Sequence, residues 1–68
     1  MLAFYKIRVE GELDPCWSEW LDELAITHLD SGETLLSGPL ADQAALYGIL
    51  IRLRDMNLEL LSLEKVKI

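Results

Sequence analysis

Apolar and polar residues alternate along residues 5–13, and this period of two predicts a strand with one buried face. The apolar positions are Tyr5, Ile7, Val9 and Leu13, and the polar ones are Lys6, Arg8, Glu10 and Glu12. The polar series is therefore assigned to the other, water-facing side of a sheet.

A short helix is predicted after this strand. Asp14 suits the N-cap, and Pro15 suits the first helical position, where the missing proline N–H would have no partner. One apolar stripe follows at the spacing i, i+3, i+4 and i+7, formed by Trp17, Trp20, Leu21 and Leu24. The stripe predicts that both tryptophans anchor the helix against the sheet.

A hairpin is predicted next, with strands at residues 24–29 and 33–37 around the turn triplet Asp30-Ser31-Gly32. If Leu29 faces Glu33, every later pair follows from that register. One face then carries Ile26 opposite Leu36 and His28 opposite Thr34, and the other carries Ala25, Thr27, Leu29, Leu35 and Ser37. The dipeptide Gly38-Pro39 is expected to end the second strand.

A long helix is predicted from residue 40 or 42 to residue 56, with Asn57 as its left-handed cap. Its core stripe consists of Leu46, Ile49, Leu50, Leu53 and Met56. A second apolar stripe, roughly 150° away at 100° per residue, consists of Leu40, Ala44, Tyr47 and Ile51. A helix of a two-layer domain needs only one such stripe, so the second predicts a contact with another molecule.

The last strand is predicted at residues 58–66, where the adjacent Leu60 and Leu61 indicate a strand that is buried or contacted on both faces. The order strand, helix, hairpin, helix, strand predicts an α+β, ferredoxin-like β-α-β-β-α-β sandwich occupying residues 1–68 as one domain. We expect a four-stranded antiparallel sheet in the order 4-1-3-2 with both helices on one face. The other face is then bare and displays Leu29 and Leu35. A swapped or intertwined dimer of the same elements is the alternative.

The size and the charge of the chain limit the classes of function that it can have. A domain of 68 residues buries only about 60% of its unfolded surface, so it needs a supplement to its core. A single cysteine and a single histidine exclude an internal disulfide and a His/Cys zinc cluster, which leaves self-association, and the 51% hydrophobic content supports it. The formal charge of −6 argues against nucleic acid and anionic membranes. With neither a signal peptide nor a membrane span visible in the sequence, we expect a soluble, acidic, cytoplasmic protein.

Two side chains are candidates for chemistry. His28 could act as a base near Asp30 or Glu33, and Cys16 could be an activated thiol in the first turn of a helix. No nucleophile has a sequence context that places it beside the histidine, and a lone cysteine near tryptophans is usually a small apolar residue. We therefore predict a non-catalytic protein with no cofactor and no metal site.

Two resemblances add to this interpretation. Residues 42–50 together with residues 57–60 resemble the aspartate, helix and returning strand of the ACT regulatory domains, which bind amino acids at dimer interfaces. Over nearly the whole chain, Leu13-Asp14-Pro15, Ile26-Thr27-His28 and Gly38-Pro39 resemble a set of small uncharacterised single-domain bacterial proteins. The second resemblance implies a stand-alone domain and brings no activity with it.

The sequence therefore predicts a self-associating interaction or regulatory module. Its partner is a second copy of the chain, which gives a homodimer, or an unidentified protein. The predicted contact residues are Leu40, Ala44, Tyr47, Ile51, Leu29 and Leu35. The alternative is a sensor of an amino-acid-like small molecule, held between protomers near the amino end of the long helix.

Overall fold

The computed structural model describes residues 3–66 as a four-stranded antiparallel sheet with two helices. The elements in chain order are β1 (Ala3–Glu10), a 3₁₀ helix (Pro15–Leu21), β2 (Ala25–His28), β3 (Glu33–Leu40), α1 (Gln43–Asp55) and β4 (Glu59–Val66). The strand order across the sheet is β2-β3-β1-β4, which counted from the β4 edge is β4-β1-β3-β2. The predicted α+β fold with four antiparallel strands is confirmed.

The hairpin has the predicted register. The Leu29 N–H donates to the Glu33 carbonyl at 2.8 Å, Ile26 lies opposite Leu36, and His28 lies opposite Thr34. The turn closes through the Gly32 N–H, which donates to the Leu29 carbonyl, and Gly32 has the left-handed φ of 83° that the turn requires. Turn chemistry alone was enough to place this hairpin.

The first strand is shorter than predicted. It ends at Glu10, because Gly11 takes a φ of 107° and leads the chain out of the sheet. Leu13 nevertheless reaches the core from the loop, where it is almost fully buried. Glu12 therefore lies in this loop and not on the open face of the sheet.

The first helix starts as predicted, with Asp14 as its cap and Pro15 at its start, but it is a 3₁₀ helix. At three residues per turn, residues three apart align, so Leu21 continues inward in line with Ser18 while the tryptophans form a separate column. Leu21 and Leu24 are buried, whereas Trp17 and Trp20 are 43% and 44% exposed. The prediction that both tryptophans anchor this helix is wrong.

Strand β3 continues through Gly38-Pro39 to Leu40, contrary to the prediction that this dipeptide ends it. Backbone groups of a central strand point alternately to its two neighbours, and Leu29 and Glu33 establish that odd-numbered residues of β3 face β2. Since β2 ends opposite Ser37, the position of Pro39 has no neighbour to which an N–H could donate. Leu40 pairs with Ala3 and is only 2% exposed.

Helix α1 begins at Gln43, after the strand has ended. The Asp42 carboxylate caps it by accepting the Ala45 N–H at 2.8 Å, and Asn57 follows its end with the predicted left-handed φ, here 62°. The inner side of the helix covers the sheet and contacts β3 and β4. The buried apolar core consists of Tyr5, Ile7, Val9, Leu13, Leu21, Leu24, Leu36, Leu40, Leu46, Ile49 and Leu53.

Strand β4 is an edge strand whose residues are mostly exposed, so the predicted burial on both faces is wrong, whereas contact on both faces stays a prediction. Arg8 lies opposite Ser62, yet the next residue, Val9, lies opposite Leu60, so Leu61 is the extra residue of a β-bulge. The bulge explains why two leucines are adjacent in an alternating strand. Over residues 3–66, no helix has the length and apolar character needed to cross a membrane.

Candidate functional site

His28 serves the fold. Its Nε2–H donates to the Leu13 carbonyl oxygen at 2.6 Å and ties the loop after β1 to the hairpin. Thr34 makes a parallel link, since its hydroxyl donates to the Gly11 carbonyl at 2.7 Å and accepts the Leu13 N–H at 3.2 Å. These bonds explain why a polar pair lies on the inner face of the hairpin.

The surroundings of Cys16 disfavour the reactive thiolate form of its side chain. The Asp14 carboxylate accepts the Cys16 backbone N–H at 2.9 Å, and this bond lowers the pKa of Asp14. The same carboxylate accepts a hydrogen bond from the thiol, which raises the pKa of Cys16 above its ordinary value. Within residues 3–66, no three His, Cys, Asp or Glu side chains are grouped as metal ligands would be.

We expect Asp14→Asn to lower the pKa of Cys16 and to speed its alkylation at mildly alkaline pH. The substitution removes the negative charge that opposes thiolate formation, and the thiolate is the reactive species. The measurement is the rate of iodoacetamide labelling. Glu19→Gln is the control, because Glu19 is an exposed carboxylate of the same helix that contributes nothing to the thiol shift. Equal rates in Asp14→Asn and the native chain would contradict the assignment.

The open face of the sheet carries charge beside its two leucines. Leu29 and Leu35 are half-buried there, in a shallow depression that Lys6 and Arg8 also line. Arg8 Nε lies 3.3 Å from a Glu33 carboxylate oxygen on the same face. The predicted position of both leucines on this face is observed, but the apolar surface that they offer is small.

The exposed apolar residues of α1 are only part of the predicted stripe. Tyr47 is 55% and Ile51 49% exposed, and Ala44 is exposed as well. Leu40 does not belong with them, because it lies in β3 and its side chain is in the core. The stripe on the helix is therefore Ala44, Tyr47 and Ile51.

Two exposed leucines of β4, which the sequence analysis did not place in this surface, extend it. Leu60 and Leu63 are exposed although they lie opposite Val9 and Ile7, whose side chains are buried under α1. Residues directly opposite in a ladder point to the same face, so both leucines lie on the helix side of the sheet. The adjacent leucines Leu60 and Leu61, which break the alternation of the strand, were the sequence signal of a bulge that could have assigned them.

Helix α1 and strand β4 run side by side, so the exposed apolar residues of the two elements are neighbours. Leu50, Arg54 and Leu60 line one groove of about 420 Å³, so Leu60 is level with the end of α1. Leu63 lies about 10 Å further along β4, toward the amino end of α1. We call the surface formed by Tyr47, Leu50, Ile51, Leu60 and Leu63 the α1–β4 flank.

The tryptophans form a second exposed apolar surface. The rings of Trp17 and Trp20 have centroids 5.6 Å apart, and the guanidinium of Arg52 lies 5.6 Å from the Trp20 ring. Arg52 also donates to the Trp20 carbonyl at 3.0 Å and lies 3.9 Å from Asp22. One arginine of α1 therefore fastens the end of the 3₁₀ helix.

These features define a small α+β domain whose large exposed apolar side chains lie on the 3₁₀ helix, on α1 and on the edge strand β4. The chain belongs to the family described as a domain of unknown function, DUF8691, whose profile matches residues 4–64. The match agrees with the expectation of a small uncharacterised domain. No curated protein and no solved structure matches the chain.

Proposed function

We propose that this domain is a non-catalytic, self-associating interaction module of ferredoxin-like topology and that it associates through the α1–β4 flank. The observation that carries the proposal is the distribution of the large exposed apolar side chains: Trp17, Trp20, Tyr47, Ile51, Leu60 and Leu63. Four of the six belong to the flank. Contiguous exposed apolar surface on a small domain is typical of a site that another molecule covers.

The flank offers a partner more uncharged apolar surface than the open sheet face does. The open face carries the Arg8–Glu33 ion pair and Lys6, whose charges would have to lose water in any interface. On the flank, the side chains of Tyr47 and Ile51 are four residues apart on one side of a helix and carry no charge. We therefore propose Tyr47, Ile51 and Ala44 as contacts and assign Leu29 and Leu35 to the periphery.

Replacing Ile51 with lysine should raise the dissociation constant of the self-associated form about tenfold or more. A tenfold change corresponds to about 1.4 kcal/mol of binding free energy. The reason is that the substitution places a charge where an apolar side chain is covered in the assembly. Sedimentation equilibrium from low to high micromolar concentration measures the dissociation constant. Lysine also reduces the negative charge of the chain, so weaker association cannot be ascribed to greater overall repulsion.

Trp17→Lys is the matched control, because Trp17 is also a half-exposed apolar residue but lies on the 3₁₀ helix. It should leave the dissociation constant unchanged. A native chain that has the mass of one copy at every concentration would contradict the proposed function. Equal weakening by both substitutions would contradict the choice of surface.

The alternative function, a small-molecule sensor with an ACT-like ligand site, is supported by the groove at the end of α1. Leucine side chains line this groove, and Arg54 and Asn57 provide polar groups. The amino end of α1 is less suitable, since the Asp42 carboxylate already accepts a helix N–H there. A thermal-shift screen of amino acids tests the alternative, because a ligand at 100 times its dissociation constant adds about 2.7 kcal/mol of stability.

A further inference from the structure

We infer that two copies of this chain pair antiparallel through their β4 edges, with the two-fold axis at Leu63, to form a continuous eight-stranded sheet. This inference rests on the proposed self-association and specifies its geometry. The partner is a second copy because β4 is complementary to itself in one register.

The outward-facing amides of β4 follow from the sheet. The Gly11 N–H donates to the Gly32 carbonyl, so odd-numbered residues of β1 face β3 and even-numbered ones face β4. Lys6 lies opposite Glu64 and Arg8 opposite Ser62, which makes Ser62 and Glu64 the residues that bond to β1. The backbone groups of Leu63 and Lys65 consequently point away from the sheet.

Charge selects the register of self-pairing. Outward residues must face outward residues, so the axis can lie at Ser62, Leu63, Glu64 or Lys65. An axis at Glu64 places two carboxylates directly opposite each other, and an axis at Lys65 does the same with two ammonium groups. An axis at Ser62 gives a shorter ladder, because the bulge at Leu61 interrupts the alternation.

An axis at Leu63 avoids both like-charge pairs and gives a longer ladder than an axis at Ser62, since it reaches from Leu61 to Lys65. Glu64 then lies opposite Ser62 of the second copy, where the hydroxyl can donate to the carboxylate, and the symmetry repeats this contact. On the helix side Leu63 faces its own symmetry mate. Leu63 belongs to the α1–β4 flank, so the same axis brings the flanks of the two copies together on one side of the joined sheet. One arrangement therefore covers both the strand edge and the apolar flank.

Amide hydrogen exchange by NMR, measured at low and high protein concentration, tests this geometry. We expect exchange of the Leu63 and Lys65 amides to slow about tenfold when nine chains in ten are paired. The Ser62 and Glu64 amides are internal controls, since they already bond to β1 and should be protected at both concentrations. A dimer in which the Leu63 and Lys65 amides exchange at a rate independent of concentration would overturn the inference and leave the proposed function standing. A chain that is monomeric throughout would overturn both.

Disulfide trapping in a Cys16→Ser background checks the register. Leu63→Cys should form a dimer under mild oxidation, because directly opposite residues of this kind have Cα atoms about 5.5 Å apart, within disulfide reach. Lys65→Cys should not form one, since its symmetry mate lies about 13 Å away along the strand. Trapping through residue 65 and not through residue 63 would overturn the register.

Discussion

Replacing Thr34 with valine should lower the free energy of unfolding by about 2–4 kcal/mol. Thr34 is the one buried polar side chain among residues 3–66, and its hydroxyl satisfies both the Gly11 carbonyl and the Leu13 N–H. Valine has nearly the same shape, so the change removes two hydrogen bonds and leaves those backbone groups without this partner. Urea denaturation followed by circular dichroism measures the loss. The free energy of unfolding of a domain of this size is about 3–10 kcal/mol, so the variant loses a large share of its stability.

Thr34→Ser is the matched control because it keeps the hydroxyl and removes only a methyl group. It should cost about 1 kcal/mol. If valine is tolerated as well as serine, the hydroxyl does not hold the loop after β1, and the account of this link is wrong.

Gly38→Ala should be the second strongly destabilising change, by about 2–3 kcal/mol. Gly38 has a φ of 155°, where a side chain is strained, and an added Cβ would lie 2.9 Å from Leu24 Cδ2. Leu24 is itself fully packed in the core, so it has little room to move. Thermal and urea unfolding should both show the loss.

Gly48→Ala provides a control of opposite sign. Gly48 lies within α1, and an added Cβ there meets no atom within 4 Å. Alanine is favoured over glycine in a helix by about 0.8–1 kcal/mol, so this variant should be more stable than the native chain. Destabilisation by both substitutions to a similar degree would show that the close approach of Leu24 is not what requires glycine at position 38.

The sequence was sufficient wherever one local rule determined the answer. The turn around Gly32 determined the hairpin register, and the cap residues Asp14 and Asn57 lie where their chemistry predicted. The apolar spacing from Trp17 to Leu24 was insufficient, because over so few residues it fits either helix type. In the 3₁₀ form Leu21 and Leu24 pack in the core and the tryptophans stay exposed. This packing depends on the rest of the fold and cannot be inferred from local sequence.

The candidate surface was predicted in part for the same reason. Helical periodicity identified Tyr47 and Ile51 correctly as exposed, but it also included Leu40, whose strand continues past a proline. Whether a strand survives a Gly-Pro pair depends on the length of the neighbouring strand, and β2 happens to end first. Leu60 and Leu63 were missed because a bulge changes which residues face the helix.

The central position of β1 has a consequence for how the domain folds. β1 lies between β3 and β4, so residues 3–10 must find residues 59–66 at the far end of the sequence before the sheet is complete. Contacts between distant parts of a chain slow folding because a long loop must close before they form. The hairpin can form early from local contacts, whereas the outer edge of β1 stays unpaired until β4 arrives. Refolding should therefore be slow for so small a domain, and an incompletely synthesised chain would expose the edge of β1 to other strands.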